Sequence, residues 1–145
     1  MYKRILVATD GSELATRAAK HGLSLAKSLG AEVIALYVVK PMAVDMPAEV
    51  LIPVPEEEYQ RSAEKFASQA LEAVKQSADE LGISCETRSV ENLRPWQAIT
   101  ETASNEECEL IVMGSHGRTG LMGLVLGSEI QKVLAHSSVP VMVHR

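Results

Sequence analysis

Five of the nine glycines in the chain fall between Met113 and Ser128, in the run Met-Gly-Ser-His-Gly-Arg-Thr-Gly-Leu-Met-Gly-Leu-Val-Leu-Gly-Ser. Glycine loses more backbone freedom on folding than any other residue, so this density marks a need for positive φ or for close approach to the main chain. Amides bare of side chains that lead into a helix N-terminus make an anion site, because the N–H groups point outward and the helix dipole favours negative charge. The chemistry offered is recognition of phosphate by main-chain donors. Gly127 and Ser128 stand at the expected helix start, where a serine hydroxyl adds one donor. Asp10 closes an early aliphatic run; it is either a ligand residue or, with Ser12, a cap on the helix that follows. His116 fits a metal ligand, an acid–base group or a polar loop residue touching ligand or solvent, and the lack of a second histidine or carboxylate nearby in sequence favours the last. Arg118 either pairs with phosphate or is an exposed loop cation.

Two common nucleotide fingerprints are absent: no G-x-x-x-x-G-K-[ST] occurs, and no G-x-G-x-x-G follows the first strand. What is present is Gly114-x-x-Gly117, nine residues, then Gly127-Ser128. Cys85 and Cys108 have neither CxxC spacing nor clustered histidines, and read as buried free thiols of a reducing cytoplasm. Hydrolysis of a nucleotide needs a positioned base or water, a metal over the phosphates and a stabilising cation. Asp10, holding Mg²⁺ through water, and Arg118 are scattered candidates, and spacing supports no nucleophile–base pair.

These residues need elements to position them. The chain's 145 residues are 46% hydrophobic and 3% aromatic, the composition of one α/β domain with an aliphatic interior of parallel strands. A net charge of −5 without a basic stripe argues against nucleic acid or an anionic membrane as partner. No apolar run approaches a transmembrane span and the first residues enter a strand directly, so we expect neither membrane insertion nor a signal peptide, and a cytoplasmic location.

In chain order, Arg4–Thr9 is a buried strand. Ser12 caps a helix whose apolar face runs from Leu14 to Leu29, with Gly30 as its stop. Glu32–Val39 is the second strand. Pro41–Pro55 carries four of the six prolines, too many for a regular element, and is either a flap over the site or a packed surface loop or subunit contact. Glu56–Leu81 is a long helix with Tyr59, Ala63, Phe66, Ala67, Ala70, Leu71, Val74, Ala78 and Leu81 on one face, ended by Gly82. Ile83–Val90 alternates like a half-exposed edge strand. Pro95 opens a helix over Trp96–Glu106 with Trp96, Ile99 and Ala103 inward. Leu110–Met113 is the fourth strand, a helix runs from Ser128 to about Ala135, and Val139–Val143 is the fifth strand. This order implies right-handed crossovers and one doubly wound parallel sheet with helices on both faces. Ligands of such sheets sit at the carboxyl ends of the strands, where strand order reverses; a reversal between the first and fourth strands puts Asp10 and Gly114 in one crevice.

The chain resembles the nucleotide-binding branch of the universal stress protein family, whose pattern is G-x2-G-x9-G-[ST] after the fourth strand. The likeness spans the chain: Ile-Leu-Val-Ala-Thr-Asp-Gly-Ser at the start, Ile-Val-Met-Gly-Ser-His-Gly-Arg-Thr-Gly late on, and Ser-Val-Pro-Val-Met-Val-His-Arg at the end. The resemblance implies a sheet in the order 3-2-1-4-5 and ATP in the crevice, with ADP or AMP as alternatives and with or without Mg²⁺. It implies Thr9, Asp10 and Val38 about the adenine, Met113 and Gly114 near the ribose, and Gly117, Gly127 and Ser128 on the phosphates; His116 and Arg118 complete the expected set. Glu129 and Gly123 depart from the family pattern, and a carboxylate at Glu129 beside phosphates costs Coulomb energy. The family pairs its fifth strands in a homodimer, and the apolar terminal strand (Val139, Val141, Val143) at a sheet edge calls for such a cover. The expectation is a dimeric, nucleotide-dependent regulatory module of the stress response, with an unidentified protein partner and at most slow hydrolysis. The alternatives are a slow ATPase and a nucleotide-free dimeric scaffold.

Overall fold

The computed structural model describes residues 1–42, 54–117 and 126–145. Five strands, β1 (Arg4–Ala8), β2 (Glu32–Val39), β3 (Cys85–Glu91), β4 (Leu110–Gly114) and β5 (Val141–His144), form one sheet in the order β3-β2-β1-β4-β5. All four neighbouring pairs are parallel. Helices α1 (Glu13–Leu29), α2 (Glu56–Leu81), α3 (Pro95–Asn105) and α4 (Ser128–His136) connect them. This is the doubly wound sheet expected from the element order. The Pro41–Pro55 segment, apart from its first and last two residues, lies outside the described residues, as do Arg118 and Gly123.

Strand β1 shows why the sequence reads as an unbroken apolar run. Ile5 and Val7 enter the core beneath α1 and α2, while Leu6 and Ala8 enter a second core with Ile99, Ala103, Ile130 and Val133 of α3 and α4. A strand covered on both faces has no polar side to alternate with. The edge strand β3 exposes most of its residues, and β5 leaves Met142 exposed at the opposite edge.

Local signals set the helix ends. The Ser12 hydroxyl accepts the Ala15 N–H at 3.2 Å, and α1 and α2 both stop at a left-handed glycine, Gly30 and Gly82. Pro95 occupies the first turn of α3, where its missing N–H costs nothing.

Phe66, expected on the buried face of α2, falls outside the core, while Trp96 faces inward at the margin of the second core. Phe66 is 51% exposed, because α2 outruns the sheet: its 26 residues span about 39 Å, whereas the eight of β2 span about 26 Å. The N-terminal turns of α2 therefore overhang the carboxyl ends of the strands. Trp96 is only half-buried; its ring stacks on His136 of α4, with centroids 4.2 Å apart.

Cys85 and Cys108 are buried free thiols, as expected. Burial pushes Cys85 upward and drives Cys108 up to about 11, with Arg4 opposing the rise and Glu106 adding to it. The folded chain keeps a proton that the unfolded thiol gives up near 9.0, so this contribution is fully present below that pH and is lost as pH climbs towards 11. Urea midpoints measured from pH 8 to 11 should fall less steeply for Cys108→Ala than for the native chain. Parallel curves would show that the thiol is not responsible.

Candidate functional site

A crevice of about 650 Å³ opens at the carboxyl ends of β1, β2 and β4, between the overhanging start of α2 and the N-terminus of α4. That volume suits a small organic ligand. Its walls include Thr9, Asp10, Val38, Met113, Gly114, His116, Gly117, Gly127 and Ser128, nine of the ten residues singled out from the sequence. The tenth, Arg118, lies outside the described residues.

Thr9 is buried; its N–H donates to the Leu36 carbonyl at 2.9 Å and its hydroxyl accepts the Gly11 N–H at 3.2 Å. Asp10 Oδ1 accepts the Ser12 N–H at 2.9 Å, a turn that holds the carboxylate at the head of α1. Its other oxygen explains Gly117: a Cβ there would stand 2.7 Å from Asp10 Oδ2. Asp10 thus orders the β1–α1 turn and faces the glycine segment at once. Val38 is half-buried on β2, Met113 is buried near the end of β4, and Gly114 ends that strand against Leu14. His116 is half-buried, its Nδ1 3.3 Å from the hydroxyl of buried Ser115.

Main-chain hydrogen bonds fix the end of this segment. Gly127 N–H donates to the Ser115 carbonyl at 2.9 Å, while Ser115 N–H donates to His144 O at 2.8 Å. Gly127 therefore fastens the start of α4 to the segment after β4 with its own N–H. The donors left are the N–H groups of Ser128, Glu129 and Ile130, for which the described residues provide neither a side-chain cap nor another partner. They form the positive end of the α4 dipole at the crevice wall.

Glu129 also behaves differently from its sequence position. Its Oε2 accepts the Trp96 N–H at 2.9 Å, and its Oε1 lies 3.7 Å from Lys132 Nζ. The cap residue of α3, Arg94, makes no side-chain cap bond, and Glu129 caps α3 from a neighbouring helix. The carboxylate is held at the α3 wall, with Lys132 offsetting part of its charge.

Sequence reasoning missed Lys40, Tyr59, Ser62 and Phe66, all of which line the crevice. The Tyr59 hydroxyl donates to the Lys40 carbonyl at 2.7 Å, which ties α2 to the exit of β2. A lysine directly after an apolar strand was the available signal. His21 and His144 meet ring to ring at 4.3 Å, and burial, then His21 and Arg17, hold His144 below the usual imidazole range. No group of three or more His, Cys, Asp or Glu residues gathers into a metal site among the described residues.

Known proteins share this architecture. Universal stress protein MJ0531 of Methanocaldococcus jannaschii is 38% identical over 144 residues, covering 99% of this chain and 82% of that protein. The solved structure of MJ0577, from the same organism, superposes with a TM-score of 0.82 at 32% identity over 99% of this chain and 96% of that one. A universal stress protein solved in complex with cAMP superposes with a TM-score of 0.73 at 26% identity, covering 99% and 97% of the two chains. The sequence model of the universal stress protein family matches residues 1–145, and with this fold and these relatives the chain belongs to that family.

Proposed function

We propose that the chain belongs to the nucleotide-binding branch of its family and holds an adenine nucleotide, ATP, ADP or AMP, in the crevice. The observation that carries this reading is that nine of the ten residues drawn from the sequence and its family resemblance line one cavity, beside three first-turn amides of α4 without a partner among the described residues. A solved relative in complex with cAMP adds support. In this reading Thr9, Asp10 and Val38 surround the base, and Met113 and Gly114 border the ribose. Ser128 and the amides of Ser128, Glu129 and Ile130 receive the phosphates, helped by His116 and Arg118. Gly117 and Gly127 act by leaving space and by anchoring the loop. Mg²⁺ bound with a polyphosphate would find Asp10 as the one crevice carboxylate besides Glu129 among the described residues and would keep mostly phosphate and water ligands.

The protein then works in the cytoplasm as a regulatory module whose state depends on occupancy, with at most slow hydrolysis and with a protein partner still to be identified. It dimerises by pairing the β5 edges, which covers Met142 and the half-buried Val141 and Val143. The nucleotide-free scaffold remains the second reading, favoured by the internal roles of Gly117 and Gly127. Native mass spectrometry of freshly purified protein tests both, with two chains and bound nucleotide as the expected mass. A bare dimer that also gains no melting temperature from millimolar ATP selects the scaffold, since any ligand of the native state must stabilise it. A monomer overturns the β5 pairing.

A further inference from the structure

We infer that Glu129 and Lys132 set how many phosphates the crevice prefers, with Glu129 biasing it towards monophosphate over triphosphate ligands. The inference rests on the nucleotide reading above. Glu129 is the second residue of α4 and lines the crevice beside Ser128, so its carboxylate belongs to the same helix turn as the amides assigned to the phosphates. A carboxylate in a first turn uses the positive end of the dipole that an incoming anion would use.

The Glu129 side chain remains 32% exposed, within a Debye length of any anion at Ser128. Its hydrogen bond to Trp96 N–H fixes it on the α3 wall and keeps it from swinging out of range. Lys132, one turn further along α4, faces the same carboxylate at 3.7 Å and offsets part of its field. Repulsion grows with ligand charge, and each added phosphate brings roughly one further negative charge. Contacts to base and ribose are common to AMP and ATP, so the balance of this pair acts on the phosphate tail alone.

Titration calorimetry on the full chain, with AMP and with ATP in the presence of EDTA, tests this. Glu129→Gln keeps an oxygen to accept the Trp96 N–H and removes only the charge. It should improve the affinity for ATP relative to AMP by roughly three- to tenfold at 50 mM salt, and the gain should shrink at 500 mM. Lys132→Gln, at an exposed position, should move the ratio the opposite way. Equal changes for both nucleotides, or a ratio insensitive to salt, would overturn the selector while leaving nucleotide binding intact. Failure of the native chain to bind either nucleotide would remove both readings together.

Discussion

Ser128→Asp protein should melt at least as high as the native chain, yet gain nothing from ATP. Both halves follow from one piece of geometry. The first-turn amides of α4 lack a side-chain cap, because the cap position is Gly127. An aspartate at the first position of α4 supplies charge to that dipole end and stabilises the empty protein by about 0.3–1 kcal/mol. The same carboxylate competes with phosphate for the amides and repels it. Since the competitor is tethered, its effective concentration is in the millimolar range or above. With ATP at a hundred times its dissociation constant, the native chain gains about 2.7 kcal/mol, and the variant should show almost none of it. Melting curves with and without nucleotide read both effects. A variant still stabilised by ATP to the native extent would move the phosphates away from α4.

Gly22→Leu is expected to destabilise the fold by about 3 kcal/mol, at the upper end of overpacking costs. Helix propensity alone argues the reverse, because glycine inside a helix is worth roughly 1 kcal/mol less than alanine. Gly22 lies in the middle of α1, where the helix crosses the sheet. A Cβ there would meet Val7 Cγ2 at 3.0 Å and Val112 Cγ1 at 3.4 Å. Both valines are fully buried on β1 and β4 and have no space to retreat. A leucine must lift α1, and α1 carries Ser12 and the turn that holds Asp10. Urea unfolding should therefore show a lower midpoint, and nucleotide binding should weaken with it. A stability within 0.5 kcal/mol of native would mean that the helix-to-sheet distance adapts freely.

The difference between these positions shows what was legible in the residues themselves. Buried strands announce themselves as apolar runs, and Ser12, Gly30, Gly82 and Pro95 mark helix ends by chemistry that acts within one turn. The crevice was legible once the family resemblance supplied the strand order, because a reversal between β1 and β4 brings Asp10 and Gly114 together. Phe66 was misplaced because its spacing matches a core face, while the length of α2 relative to the sheet carries it past the core. Glu129 was read only from its sequence neighbour Ser128, so its anchor on α3 was not legible. Its partner, the Trp96 N–H, stands 33 positions away.

Sequence alone determined the element order, the α/β class, the ends of α1 and α2 and the buried thiols. Each of these depends on local backbone preference or on periodicity, which a linear chain displays. Tertiary structure alone decided that Gly127 gives its amide to Ser115, that Gly117 makes room for a carboxylate, that Gly22 lies tight against Val7 and Val112 and that Glu129 is anchored on α3. Those outcomes depend on distances of about 3 Å between residues remote in the chain, where repulsion and hydrogen bonding change steeply and no pattern along the sequence records them.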